Sequence, residues 1–223
     1  MPKKTMIAVI DTETASLMGG VYDFAYAITD KKGNIEKTEN HLVEEIVTNG
    51  SMMMGAFYAK KTFSHYFPML DNDLIDLWAW SDIRDQFLQD LIDYDVSIIA
   101  AYNLPFDARV LAATHNSITK QEKFLHGKYK MLDIWRFSCL TILNRRGYKN
   151  LAHEKGWVSD AGNIRTNAEC AYRYAANDNE FIEHHTALHD VIAENKILAY
   201  CFRQKKKTPF GLTGVAPWRI VNN

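Results

Sequence analysis

Asp11-Thr12-Glu13-Thr14 stands directly after the apolar run at residues 6–10, and Asn103-Leu104-Pro105-Phe106-Asp107 follows a second apolar run at residues 96–102. A third group, His185-Thr186-Ala187-Leu188-His189-Asp190, lies near the end of the chain. Carboxylates at the ends of strands can converge at one edge of a sheet. Hard divalent cations such as Mg²⁺ and Mn²⁺ favour an oxygen-rich cluster of that kind. Alternate residues of a strand point the same way, so Asp11 and Glu13 can reach one metal together. The three segments therefore point to one metal-dependent active site.

Each segment also has a plainer reading. An isolated Asp-x-Glu is usually two solvated carboxylates in a turn. Asp107 could cap a helix that starts nearby, because aspartate is a preferred N-cap. His185 and His189 stand at i and i+4, which on a helix could place two imidazoles on a zinc ion. The segment is not His-Glu-x-x-His, however, and no third nitrogen or sulfur ligand is evident nearby. Alternatively Asp190 is a hard-metal ligand and His185 a base at the mouth of a helix, or the histidines are ordinary surface residues.

The elements that must position these groups are partly visible. Residues 5–10 read as a strand, and Tyr22, Phe24, Tyr26 and Ile28 alternate with smaller or polar partners at the strand period. Asp30-Lys31-Lys32-Gly33 is a turn signal, with a third strand expected over residues 35–46, giving an antiparallel start to the sheet. Residues 47–76 show no clean period; Asn49 to Gly55 reads as a loop. A helix is expected from an N-cap at Ser81, with Ile83, Phe87 and Leu91 on one face, followed by a buried strand over residues 96–101. A helix over residues 107–114, a short strand over 130–134 and a last helix over about 190–201 complete the pattern. Strands first, then strands alternating with helices, indicate a mixed sheet covered by helices.

Composition bounds the class without naming a function. The chain has 223 residues, 47% hydrophobic and 24% charged, as in ordinary soluble domains. No stretch approaches the roughly 18 consecutive apolar residues of a membrane span, and there is no signal-peptide pattern. Cys139, Cys170 and Cys201 are too few and too scattered for a disulfide framework, which fits a reducing cytoplasm. The net charge of −1 excludes a strongly basic body that binds nucleic acid non-specifically. Arg145-Arg146 and Arg203-Gln204-Lys205-Lys206-Lys207 are the evident basic clusters, and such runs are usually solvated faces. The five tryptophans read as core.

Taken together, the three motifs resemble the DEDD superfamily of 3′–5′ exonucleases in its histidine-bearing (DEDDh) subgroup, which includes proofreading exonucleases and the RNase T and oligoribonuclease types. The family pattern is D-x-E-T after the first strand, then N-x-x-F-D, then H-x-A-x-x-D, and all three occur here in order. The sibling subgroup carries a tyrosine four residues before its last aspartate, where this chain has Thr186. The match spans roughly residues 5–200. The segment at about 47–76 looks like an insertion in a single exonuclease domain over residues 1–204, with an extended C-terminal arm over 205–223. A lone exonuclease of this kind is similar to those carried by bacteriophages, which would place it in a host cytoplasm.

The resemblance implies an RNase H-like α/β fold, a five-stranded mixed sheet flanked by helices. It implies that Asp11, Glu13 and Asp190 hold a first divalent cation, Mg²⁺ or Mn²⁺, and that Asp11 and Asp107 hold a second. It makes His185 the base for the attacking water, a role that an imidazole's ordinary pKa of about 6.5 suits. Thr14, Leu17, Met18, Asn103 and Phe106 would contact the last nucleotide of a single-stranded DNA or RNA 3′ end. Tyr58, Tyr66 and Phe67 are candidates for a substrate-specific surface. RNase T-like relatives work as dimers, so a homodimer stays open.

Overall fold

The computed structural model describes residues 4–56, 62–121, 123–125, 129–213 and 215–222. Six strands form one mixed sheet in the order β4-β3-β2-β1-β5-β6. They are β1 (Met6–Ser16), β2 (Gly19–Asp30), β3 (Ile35–Val43), β4 (Asp76–Trp78), β5 (Val96–Ala101) and β6 (Lys130–Asp133). β1, β2 and β3 pair antiparallel, whereas β5 runs parallel to β1, β6 to β5, and β4 to β3. The expectation of five strands is thus corrected to six. The extra strand is three residues at the end of the middle segment and just beyond it, added where the edge of β3 at His41–Val43 would otherwise leave backbone groups unpaired. β3 itself stops at Val43 rather than near Ile46, because Glu44–Val47 turns into a short helix.

Both faces of the sheet are covered. Ala8, Ile10, Phe24, Tyr26 and Ile28 face a layer made by α1 (Trp80–Asp93) and α2 (Leu104–Thr119), where Ile83, Phe87, Leu91, Val110 and Leu111 are buried. Ile7, Val9, Ala25 and Ala27 face the opposite layer. There α3 (Ala168–Ala176) packs against α4 (Ala187–Arg203), whose Val191, Ile197 and Leu198 meet the sheet. Alanines on β2 let α4 come close, and every residue of β2 is buried. The β2–β3 turn also seats on α4. A Cβ at Gly33 would lie 2.9 Å from that of Ala199, and Gly33 has φ +87°, so the position needs glycine on both counts.

Local sequence misplaced three boundaries. Helix α1 begins at Trp80 and not after Ser81, because its first amide is taken by the distant Glu45 carboxylate at 3.0 Å. α2 begins at Leu104, so Asp107 sits inside its first turn and is not the cap. Asn49 to Gly55 holds a short helix, Gly50–Met54, that Asn49 caps through Met52 N–H. The C-terminal residues run along the body. Gly211 N–H donates to Met131 O at 2.8 Å, and Asn222 brackets Ile164 with bonds of 2.7 and 3.1 Å. All three cysteines are buried and unpaired, and among the described residues no helix is long and apolar enough to cross a membrane.

One hydroxyl fixes the tip beside the first motif. Thr114 Oγ1 on α2 accepts both Gly20 N–H and Val21 N–H at 3.1 Å in a buried position. Replacing it by valine keeps the shape and leaves two buried donors without an acceptor. Thr114→Val is expected to cost about 2–6 kcal/mol at roughly 1–3 kcal/mol per orphaned group. Chemical denaturation reads this directly, and a loss under half a kcal/mol would mean that other acceptors replace the hydroxyl.

Candidate active site

The exit of β1 divides its side chains between the two layers. Asp11 and Glu13 continue the series of Ile7 and Val9 and point toward α4, while Thr12 continues that of Ala8 and Ile10 and points toward α2. Thr12 Oγ1 donates to Asp107 Oδ1 at 2.8 Å, so the strand's alternate residue holds the carboxylate that arrives from the other layer. Asp190 lies in the first turn of α4, buried to 6% exposure, and His185 lies in the segment leading into that helix. Ligand atoms of Glu13, His185 and Asp190 all come within 4.8 Å of one another. Asp11 and Asp107 fall outside that trio but adjoin it electrostatically, with Asp190 and Glu13 both acting on Asp11.

His185 has φ +54°, in the left-handed region that non-glycine residues seldom occupy, although histidine does so more than most. Because α4 starts only at Ala187, His185 and His189 do not share a helical face. His189 is exposed, stacks on His184 at 4.7 Å and pairs through Nδ1 with Thr186 Oγ1 at 2.7 Å. The i, i+4 zinc arrangement therefore does not form among the described residues.

The sequence reading overlooked two carboxylates. Glu194, one turn beyond Asp190 on the same face of α4, is 3% exposed and accepts the Tyr102 N–H at 2.9 Å. Asp133, at the end of β6, accepts Asn103 N–H at 3.2 Å. The turn that presents Asp107 is thus held from two sides. The i, i+4 spacing from Asp190 was the available signal for Glu194; nothing local marked Asp133.

Burial and crowding shift these acids upward. Asp11 is pushed well above the usual carboxylate range by burial first, then by Glu194, Asp107, Asp190 and Glu13. Asp107 is pushed up to about 7 by burial, against the opposing hydrogen bond from Thr12. Glu194 is raised by burial and then by Asp107. Such a set fits a cation, whose charge would replace the protons the acids otherwise retain. The linkage has a definite sign. Folded-state values above the unfolded ones mean that the native protein binds more protons, so stability falls as pH rises. For Asp107 the window runs from about 4 to about 7. In EDTA the melting temperature is expected to drop between pH 5 and pH 8, and Mg²⁺ should remove most of that drop. A flat profile in EDTA would show that burial and crowding do not hold these acids above their unfolded values.

The proposed substrate contacts are dispersed around this edge. Leu17 and Met18 are exposed at the β1–β2 tip, at 56% and 74%. Thr14 is half-buried on β1, Asn103 is exposed with φ +69°, and Phe106 is half-buried under the Arg109 guanidinium. A cavity of about 310 Å³ opens beside Asp11 between Asn103, Trp135, Asn167 and Glu194. Trp80 and Trp157 are core, while Trp78, Trp135 and Trp218 are only half-buried, so the core reading of the tryptophans holds for two of the five. Arg145, Arg146 and Lys205 to Lys207 are exposed. Of the middle-segment aromatics, Phe67 is exposed, Tyr66 is buried at 2% and so is no surface contact, and Tyr58 lies outside the described residues.

The fold is RNase H-like, a mixed sheet flanked by helices, and in this chain the acidic groups gather at the end of β1. Among solved structures, exonuclease I is similar over 87% of this chain at 14% identity, with a TM-score of 0.51. This chain spans 41% of that one. Exonuclease X, solved with duplex DNA bearing a 5′ overhang, is similar over 88% of this chain and 91% of its own at 18% identity, with a TM-score of 0.48. No family model matches the chain, and neither does any curated protein.

Proposed function

We propose that this chain is a metal-dependent 3′–5′ exonuclease that removes nucleoside 5′-monophosphates from single-stranded DNA or RNA. The observation that carries the reading is the approach of Glu13, His185 and Asp190 within 4.8 Å, beside the half-buried Asp11 and the buried Asp107. Three segments far apart in sequence supply these groups, and the exonuclease-type fold is consistent with them.

Asp11, Glu13 and Asp190 would hold one Mg²⁺ or Mn²⁺, and Asp11 with Asp107, directly or through water, a second. Bound there, the cations would stabilise charge on the attacking and leaving oxygens of an in-line displacement. His185 would accept the proton of the attacking water, its imidazole carried by a backbone conformation that the start of α4 holds in place. Leu17, Met18 and Phe106 would pack on bases without reading them, since stacking accepts every base. A site that grips only the final nucleotides needs few phosphate contacts, which agrees with the net charge of −1.

The test is a 5′-labelled oligonucleotide in DNA and RNA versions, incubated with Mg²⁺, Mn²⁺, Zn²⁺ or EDTA. A ladder shortening from the 3′ end with Mg²⁺ or Mn²⁺, abolished by EDTA, is the expected result, and the faster strand defines the sugar preference. Folded, metal-binding protein that cuts neither strand would instead indicate a binding module with this fold.

A further inference from the structure

Helix α4 begins without a cap of its own. Thr186 occupies the N-cap position, yet its side chain accepts none of the first-turn amides, because Oγ1 is paired with His189 Nδ1 at 2.7 Å. A helix start left so would carry unsatisfied amides within a buried layer. The acceptor comes from 164 residues away: Ala187 N–H donates to Asp23 Oδ2 at 3.0 Å. Asp23 is fully buried on β2, and its Cα pairs in register with that of Glu13. The same Oδ2 accepts the Tyr66 hydroxyl, and Oδ1 accepts Asn40 Nδ2 at 2.5 Å.

Four parts of the chain therefore meet on one carboxylate: the strand opposite Glu13, the neighbouring strand through Asn40, the middle segment through Tyr66, and the first residue of α4. Ala187 lies two residues after His185 and three before Asp190. Any shift of the helix start along its axis moves both relative to Glu13, and geometry at a hydrolytic centre tolerates little displacement.

We propose that Asp23 is a positioning residue that clamps the start of α4 to β2 and so sets the distance of His185 and Asp190 from Glu13, with Tyr66 of the middle segment orienting the clamp. This rests on the hydrolytic reading of the site. The middle segment, which sequence reading treated as a substrate surface, then acts in part as a brace on the active site. His65 and Ser64, beside Tyr66, border a cavity of about 490 Å³ with His184 and Thr186, so the brace lies against the segment that carries His185.

Three variants test this: Asp23→Ala, Asp23→Asn and Tyr66→Phe, each measured for kcat, KM, Mn²⁺ affinity and exchange of the Ala187 amide. Asp23→Ala is expected to lower kcat about 10–100-fold, the usual effect of losing a group that orients an active-site residue, with KM changed far less. Asp23→Asn keeps one oxygen for Ala187 N–H and should recover most of that loss. Tyr66→Phe, the mildest change to folding, should fall between and speed exchange of the Ala187 amide. Wild-type kcat and exchange in Tyr66→Phe and Asp23→Asn, with Asp23→Ala impaired only as far as its melting temperature drops, would overturn the proposal. So would Asp23→Asn proving as impaired as Asp23→Ala, since the accepted hydrogen bond would then not be the agent. If the wild type cuts no oligonucleotide, the hydrolytic reading fails, while exchange at Ala187 still reports whether the clamp exists.

Discussion

Asp11→Asn is expected to be inactive and, in EDTA at pH 8, more stable than the wild type. The substitution keeps the shape of the side chain and removes one charge from a crowded group of five acids, in which Glu194, Asp107, Asp190 and Glu13 all bear on Asp11. Repulsion that raises a carboxylate's pKa also destabilises the folded state once the group ionises, so its removal stabilises the apo protein. Activity should move the opposite way. Asp11 is the ligand proposed to serve both cations, and loss of about 4 kcal/mol of transition-state stabilisation would lower the rate about a thousandfold. The wild type at a Mg²⁺ concentration about a hundred times its Kd should gain roughly 5–10 °C in melting temperature, and Asp11→Asn should gain little of that. Melting curves with and without Mg²⁺, alongside the oligonucleotide assay, read both effects. Cleavage at the wild-type rate would show that the site is misassigned. A less stable apo variant would show that Asp11 is held by favourable contacts and not strained by its neighbours.

That opposition between stability and activity explains what the sequence could and could not reveal. The first two motifs were legible because each follows a run of apolar residues whose burial forces the strand, so that β1 and β5 deliver Asp11, Glu13 and the turn to Asp107 to one edge. The groups that hold them in place were not legible. Asp23 stands among Tyr22, Phe24 and Tyr26 at the strand period, where alternation suggests an outward polar residue. The outward face is in fact covered by α4, and all of β2 is buried. Alternation reports which residues are large, and small residues such as Ala25 and Ala27 hide a second packed face.

The same long-range character displaced the helix starts. Local rules assign caps to nearby side chains, whereas Trp80 N–H finds Glu45 and Ala187 N–H finds Asp23. Tyr66 looked like a surface aromatic because residues 47–76 lack a period; its burial depends on Asp23 and Tyr22, neither nearby in sequence. The strand β4 escaped for a related reason. Three residues pairing with one edge carry no periodic signal of their own.

His185→Ala is expected to lower kcat by about 10²–10⁴, the range for losing a general base, while changing Mn²⁺ affinity little. The geometry permits two roles, because the imidazole lies within 4.8 Å of ligand atoms of both Glu13 and Asp190. As a ligand it would lose metal affinity on truncation, and excess Mn²⁺ would restore turnover. As a base it would lose turnover at saturating metal, and the acid limb of the pH–rate profile would disappear with it. Titrating Mn²⁺ against the variant, and following kcat across pH 5 to 9, separates the two. Turnover equal to the wild type across that range would remove His185 from the mechanism and leave the carboxylates to activate water through the cations alone.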